Sequence, residues 1–312
     1  MWAADTLTSK GRTHLIWKRI KENKFLYLLF ALPFLYYIVF KYGAMAWLLL
    51  AFKDFSARKG LWGSEWVGFE HFVNFFSTPD FFRLLRNTVL LSLYNLIFSF
   101  PVPVFLALMI NEVQQKPFKK AVQSITYLPH FFSTVIICGM LVNFLTSDGL
   151  INQIIVTFGG QPVNFLTDPR WFRTIYIASG IWQSAGWGSI MYLAALTGVD
   201  PQLYESAVID GATKVQQTWY ISLPSITPII SIQLLLSIGS MLTVGYEKII
   251  LLYNGSTYET ADIISTYVYR RGLLGADYGY GTAVSLFQSV ISLVLIVVSN
   301  KIAAKVGETS LW

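Results

Sequence analysis

The chain has 312 residues, of which 54% are hydrophobic and 13% charged, against about 45–50% and about 25% in ordinary soluble domains. That balance argues against a pair of soluble domains and for one polytopic membrane bundle, because each crossing of about 30 Å of hydrocarbon takes roughly 20 apolar residues. The net charge of +6 forms no basic stripe interleaved with aromatics, and Cys138 is the single cysteine, so neither a nucleic-acid footprint nor a disulfide framework is expected.

Residues 1–24 form a basic tail, and its stretch HLIWKRIKENK at 14–24 predicts an interfacial helix. Apolar runs follow at roughly 25–50, 85–110, 122–146, 174–197, 226–252 and 282–300. They predict an all-α polytopic membrane protein with six transmembrane helices, followed by a short C-terminal tail over 301–312. The first run is too long for a signal peptide and lacks a small-residue cleavage site. Residues 53–83 carry Trp62, Trp66, Phe69, Phe72, Phe75 and Phe76, which predicts an amphipathic piece at the interface. The fourth run is diluted by Ser179, Gln183, Ser184, Gly186 and Gly188, small and polar residues of the kind found where membrane helices pack closely or line a path. The loops 147–173 and 253–280 are rich in Gly, Asp, Tyr and Asn and suit a soluble partner. Twelve Lys and Arg fall on the side of the N-terminal tail, the 111–120 loop, the 200–223 stretch and the C-terminal end, against eight on the other. This bias places both termini in the cytoplasm.

Several kinds of chemistry are missing from the sequence. No G-x-x-x-x-G-K-[ST] loop occurs, so this chain is not expected to bind or hydrolyse nucleotide, and no cofactor is expected in it. His14, His71 and His130 are isolated, which predicts no metal site. Neither a G-x-S-x-G elbow nor paired carboxylates within the runs support an intramembrane enzyme. A transporter acting alone would be expected to carry ion-relay carboxylates or inverted repeats with broken helices, and neither is evident.

The stretch 204-YESAVIDGATKVQQTWYISLP-224 is unusually polar for its setting between two apolar runs. Asp200 is placed to cap a short helix with Pro201 at its first position. Gly211 allows a left-handed turn, and Thr213 with Gln216 predicts a capping box opening a second helix. That second helix presents Val215 and Trp219 on one face and is expected to end before Pro224. Small side chains at Ser206, Ala207 and Ala212 admit a close neighbour, and Glu205 is placed to meet a basic group. A solvated loop helix fits these residues as well as a docking element does.

A longer pattern decides between the two. Glu205-Ser206-Ala207, three residues, Gly211, nine residues and Ile221-x-Leu223-Pro224 resemble the EAA signature of ABC importer permeases, with Ser206 standing where that signature has Ala. The stretches 86-RNT-88, 126-TYLPHFFS-133, 162-PVNFLTDPRWFR-173, 185-AGWGSIMYLAAL-196, 251-LLYN-254 and 266-TYVYR-270 are similar to the carbohydrate-uptake permeases, above all to the LplB-like branch that includes permeases for alginate-type polymers. The resemblance implies a type I importer permease in the bacterial inner membrane, working with a second homologous permease and an extracytoplasmic solute-binding protein. It also implies two ATPase subunits, which bind the ATP and Mg²⁺. Its cargo would be an oligo- or polysaccharide. By position, Glu205, Ser206, Ala207, Asp210, Gly211 and Ala212 would form the surface that couples to the ATPase.

Candidates for the sugar path rest on residue chemistry. Glu247 and Lys248 interrupt the fifth run, where each ionisable side chain costs at least about 2.5 kcal/mol if left in lipid. They either mark a pathway, or Lys248 snorkels and pairs with Glu247. Tyr246, Asn143, Trp182, Gln183, Trp187, Ser285 and Gln288 are further candidates, because aromatic rings suit sugar C–H faces and amides and hydroxyls suit sugar hydroxyls. Ordinary helix packing accounts for each of them singly. Arg170, Arg173, Arg270 and Arg271 suggest contact with the binding protein or an acidic, uronate-type sugar, and loop salt bridges explain them equally well.

Overall fold

The structure, a computed structural model, describes residues 20–242 and 245–306. Most of the expected basic tail, residues 1–19, and the end of the C-terminal tail, 307–312, lie outside these. Helix α1 (Lys24–Phe52) leads into a two-stranded antiparallel ribbon, β1 (Lys53–Asp54) against β2 (Glu65–Trp66), and then the short helix α2 (Glu70–Ser77). Lys53 Nζ donates to the Leu61 carbonyl at 2.9 Å and the Phe52 and Trp66 rings stack, so the aromatic 53–83 piece forms a folded cap. The chain continues through α3 (Phe81–Glu112), α4 (Lys116–Tyr127), α5 (Thr134–Leu145), α6 (Leu150–Thr157) and α7 (Pro169–Leu196). The remaining elements are α8 (Pro201–Ile209), α9 (Lys214–Gly239), α10 (Tyr246–Leu252), α11 (Ile264–Val268) and α12 (Tyr278–Val306).

Five segments among the described residues are long and apolar enough to cross a membrane: α1, α3, the α5–α6 segment 134–157, α9 and α12 up to Lys305. Helix α7 is not among them, although its 28 residues reach roughly 42 Å. Its Ser, Gln and Gly residues hold its hydropathy down, yet it lies at the centre of the bundle. It packs on both α3 and α4: Gly188 faces Pro103, and Gly186 faces the Thr126 carbonyl.

Two expected spans are broken. The run 122–146 is interrupted after Tyr127 by a tight turn over Leu128–Phe131, where Pro129 withdraws an N–H from the ladder. Ser133 then caps α5 by accepting from the Ile136 N–H at 3.3 Å. The run 226–252 breaks between Gly239 and Gly245, leaving Tyr246, Glu247 and Lys248 on the separate helix α10. Gly239 sits so close to Ile296 of α12 that a Cβ there would lie 2.8 Å from Ile296 Cδ1.

Conversely, the helix expected to stop before Pro224 runs on. Residues Thr218–Ser222 widen into a π turn, and the Leu223 N–H bonds the carbonyl of Thr218, five residues back. A proline in a helix clashes with the carbonyl four residues earlier, and the widened turn, which contains Tyr220, relieves that clash at Pro224. The same device precedes Pro101: Asn95–Ser99 form a π turn and the Phe100 N–H donates to the Asn95 carbonyl at 3.1 Å.

Three apolar clusters hold the bundle at two levels. One joins Val104, Ala107 and Ile110 of α3 to Tyr192 and Leu196 of α7 and Ile226 of α9. At the other end, Leu91, Phe172, Ile249 and Ile263 form a second cluster, and Phe75, Leu84, Ile264, Tyr267 and Tyr280 a third. Along α3 the two levels are separated by the residues between Leu91 and Val104, roughly 20 Å of helix. Because Gly186 meets backbone rather than a movable side chain, Gly186→Val is expected to cost at least about 1–3 kcal/mol of stability. Gly139→Ala, where no atom lies within 4 Å of the added Cβ, should be close to neutral; thermal unfolding of the two variants in one detergent checks the contrast.

Candidate docking hairpin and central cavity

The polar stretch at 200–223 forms the expected hairpin. Asp200 accepts from the Gln202 N–H at 3.0 Å and Pro201 opens α8. Gly211 takes φ +78°, a conformation strained for any L side chain. Thr213 and Gln216 complete a capping box at the start of α9. The turn is tied to the bundle by polar bonds. The Tyr204 hydroxyl meets Ser222 Oγ at 2.9 Å, buried Gln217 donates to the Ala212 carbonyl at 3.2 Å, and Thr218 Oγ1 donates to Glu112 Oε1 of α3 at 3.4 Å. Lys214 reaches Glu112 at 4.0 Å.

The outer side of the hairpin meets no partner among the described residues. Glu205, Ser206, Asp210 and Gly211 are exposed, Ala207 and Ala212 are half-buried, and no cation among the described residues lies in ion-pair range of Glu205. Around them Ile209 is 85% and Tyr220 79% exposed, with Leu203, Val208, Val215 and Trp219 also open. Large apolar side chains open on the same hairpin as Glu205 and Asp210 suit contact with another surface.

Between the two levels of apolar packing lies a cavity of about 610 Å³, within the range of about 300–1,000 Å³ usual for ligand sites. Ser92, Asn95 and Ser99 line it from one face of α3, Tyr176, Gly180, Gln183 and Ser184 from α7, Ser237 and Ser240 at the end of α9, and Tyr246, Glu247 and Lys248 from α10. Ser99 Oγ is buried there without a hydrogen-bond partner among the described residues. A second hollow of about 460 Å³ adjoins it through Tyr246 and contains Ser285 and Gln288 of α12. Gln288 is buried and donates to the Leu242 carbonyl at 3.0 Å.

Of the sequence candidates, Gln183, Tyr246 and Glu247 therefore meet in one cavity, and Ser285 and Gln288 in its neighbour. Three lie elsewhere. Asn143 is exposed on α5, Trp182 lines a separate apolar hollow with Ile137, Met140 and Phe144, and Trp187 stacks on His130 at 4.5 Å. Apart from Ser184, the lining serines were missed singly, although Ser92, Asn95 and Ser99 repeat at i, i+3 and i+7, the spacing of one helix face. The pairing of Glu247 with Lys248 is not formed. Lys248 instead donates to the Tyr176 carbonyl at 3.2 Å.

An exposed hairpin at one end of an all-helical bundle, with a polar cavity at mid-depth, suits a subunit that is moved by another protein. The family model for binding-protein-dependent transport system inner membrane components matches residues 80–307. The chain belongs to this family. It is 46% identical to the polygalacturonan/rhamnogalacturonan transport system permease protein YteP of Bacillus subtilis (strain 168), covering 94% of this chain and 92% of that one. Protein LplB of the same organism is 45% identical over the same shares. Among solved structures, a chain of a bacterial ABC transporter involved in import of the acidic polysaccharide alginate is 46% identical, with a TM-score of 0.87 over 93% of this chain and 98% of that one. A chain of a bacterial alginate ABC transporter in complex with an alginate pentasaccharide-bound periplasmic protein gives 45% identity and the same TM-score over 95% of this chain and 99% of that one. The expected type I importer permease fold is the fold of this chain.

At the end of the permease opposite the hairpin, a buried carboxylate gathers the arginines. Asp262 is fully buried and accepts from Arg270 at 2.7 and 2.8 Å, from Thr266 at 2.8 Å, and lies 3.5 Å from Arg83. Its carboxylate holds the Arg270 guanidinium above its ordinary pKa, and Arg270 also lies over the Tyr258 ring at 4.9 Å. Buried Asn87 of α3 donates to the carbonyls of Glu259 and Asp262 and accepts from Arg173 of α7 at 2.9 Å. Arg271 pairs with Asp277 at 3.4 Å and lies 3.8 Å from the Tyr280 ring centre. Arg170 holds Asp168 at 2.6 Å but remains 88% exposed. Each of the four arginines thus has a polar partner, although Arg173 Nε is buried without one among the described residues, and Arg170 is the most exposed of the three that form ion pairs. Asp262→Asn is expected to destabilise the permease toward the lower end of about 3–5 kcal/mol, since it removes one partner of a buried pair whose guanidinium is partly open. Asp168→Asn should leave the unfolding midpoint nearly unchanged; thermal melts of both variants test the difference.

Proposed function

We propose that this permease couples ATP hydrolysis on a partner ATPase pair to inward movement of an acidic, uronate-containing oligo- or polysaccharide. A second, homologous permease completes the pathway, and an extracytoplasmic binding protein delivers the sugar. The chain then spans the bacterial cytoplasmic membrane six times, with α7 as the fourth span and both termini in the cytoplasm. Two facts about the arrangement support that orientation. The basic 111–120 loop and the hairpin meet at Glu112, one end of α3, whereas the loops read as external gather around Arg83 and Asn87 at its other end. The acidic cargo is supported by the relatives, whose names and titles concern polygalacturonan, rhamnogalacturonan and alginate.

The observation that carries the coupling role is the exposed hairpin together with its polar links to α9 and α3. Glu205 is solvent-facing and unpaired, ready for a basic group in a cleft of the ATPase, with Ser206, Ala207 and Ala212 allowing close approach. Asp210 and the left-handed Gly211 fix the angle between α8 and α9. A push on α8 passes to α9 through Tyr204 and Ser222, and to α3 through Lys214, Thr218 and Glu112. Both of those helices line the cavity further along, so closure of the ATPase pair would alter its two walls together as a rigid-body switch. ATP and Mg²⁺ belong to the ATPase subunits in this scheme.

The test uses the complete complex in proteoliposomes. Glu205→Arg is expected to lower sugar uptake at least tenfold while ATP hydrolysis persists, and Gly211→Val should do the same by straining the turn. Docking of the sugar-loaded binding protein should survive in both, measured as its co-sedimentation with the variant proteoliposomes. Wild-type ATP-driven uptake by Glu205→Arg and Gly211→Val would overturn the docking role.

A further inference from the structure

We infer that Lys248 is the specificity-determining cation of the central cavity, the group that binds a carboxylate of the passing sugar. This rests on the acidic-cargo reading above and assigns it to one side chain. Lys248 is only 9% exposed, yet its ammonium has no carboxylate in ion-pair range among the described residues. Buried ammonium groups are normally paired, because removal from water is costly and one neutral contact does not offset it. Here the ammonium donates to the Tyr176 carbonyl at 3.2 Å and lies 5.2 Å from the Tyr176 ring centre. An ammonium has three donors, so two remain for a ligand.

The surroundings are built to leave the ammonium reachable. Gly180, one turn along α7 from Tyr176, also lines the cavity, and a Cβ placed there would lie 3.7 Å from Lys248 Nζ. The absent side chain lets the ammonium lie against α7 within the lining. Ser99 Oγ, buried in the same wall with no partner among the described residues, and the amides of Asn95 and Gln183 supply groups for sugar hydroxyls. Glu247 is the one carboxylate in the lining among the described residues and opposes an anionic cargo. Neighbouring positions on a helix point about 100° apart, so the two charges address different sectors of the cavity. The arginines first suspected of reading acid do not line this cavity, and among the described residues Lys248 is the cation that does.

The complete complex, reconstituted with its binding protein, tests this with trigalacturonate as the probe. Lys248→Met is expected to reduce uptake of the probe at least tenfold. Lys248→Arg, which keeps the charge, should stay within about threefold of wild type. Both variants should retain the wild-type unfolding midpoint and the ATPase activity stimulated by unloaded binding protein. Three results would each overturn the assignment: wild-type uptake by Lys248→Met, an equal loss in Lys248→Arg, or a loss of stability and stimulated ATPase that matches the loss of uptake. The last two would make Lys248 a strut between α10 and α7. A wild-type complex that ignores trigalacturonate but carries a neutral oligosaccharide would instead remove the acidic-cargo reading, and the role of Lys248 with it.

Discussion

The buried carboxylate of Asp262 fixes one end of this bundle. A charge with no exposure survives only when paired and fully hydrogen-bonded, and Asp262 obtains this from Arg270, Arg83 and Thr266 while its own carbonyl accepts from Asn87. Because Asn87 also accepts from Arg173, the one site locks α3, α7 and the 253–270 segment together. Polar bonds of this strength are directional, so they set the relative register of the elements as well as holding them. The apolar contacts of Leu91, Phe172 and Ile263 close around that frame. The hairpin end has a looser fastening: its link to α3 is a 4.0 Å ion pair and a 3.4 Å hydrogen bond at Glu112. A bundle rigid at one end and lightly tied at the other is suited to motion delivered at the hairpin.

What could be read from the sequence was mostly what is local. Asp200, Gly211, Thr213 and Gln216 act on backbone within four residues of themselves, and each does in the structure what its chemistry dictates. Apolar runs gave the helices but not their interruptions, because hydropathy averages over the few residues that break a ladder. Pro129 interrupts the run just ahead of the apolar helix Thr134–Leu145. Pro224 and Pro101 do the opposite, since a π turn ahead of each lets the helix pass through. A proline in an apolar run therefore has two outcomes, and neighbours outside the run choose between them.

The cavity was harder to read for a related reason. Serines in apolar helices satisfy themselves by bonding a carbonyl one turn back, as Ser92 does to Thr88 at 2.7 Å and Ser240 to Leu236 at 3.1 Å. Such a serine costs little wherever it lies, so its presence alone says nothing about a path. The i, i+3, i+7 recurrence of Ser92, Asn95 and Ser99 carries more information, and its meaning emerges when α7 and α10 bring Gln183, Tyr246 and Glu247 opposite. Trp182 and Trp187 show the converse. Aromatic chemistry suited to sugars is equally suited to packing, and the structure uses both rings for contacts away from the cavity.

The helices that line the cavity differ in continuity, and this bears on how the proposed switch would work. Helix α7 is α-helical without a break over 28 residues, with Gly180, Gly186 and Gly188 letting Lys248, α4 and α3 come close. Helix α3 has its π turn at Asn95–Ser99, level with the cavity itself, and α9 has one at Thr218–Ser222, next to the hairpin. A π turn spends one residue without the regular i−4 bond, so bending there disturbs fewer hydrogen bonds than bending elsewhere. Force applied at the hairpin would thus enter α9 at its first weak point and α3 through Glu112, and reach the second weak point where Asn95 and Ser99 face the cavity. Helix α7 would serve as the fixed wall. On that scheme Lys248, bonded to the Tyr176 carbonyl of the unmoving helix, keeps its place while the α3 side of the cavity is reshaped around the cargo.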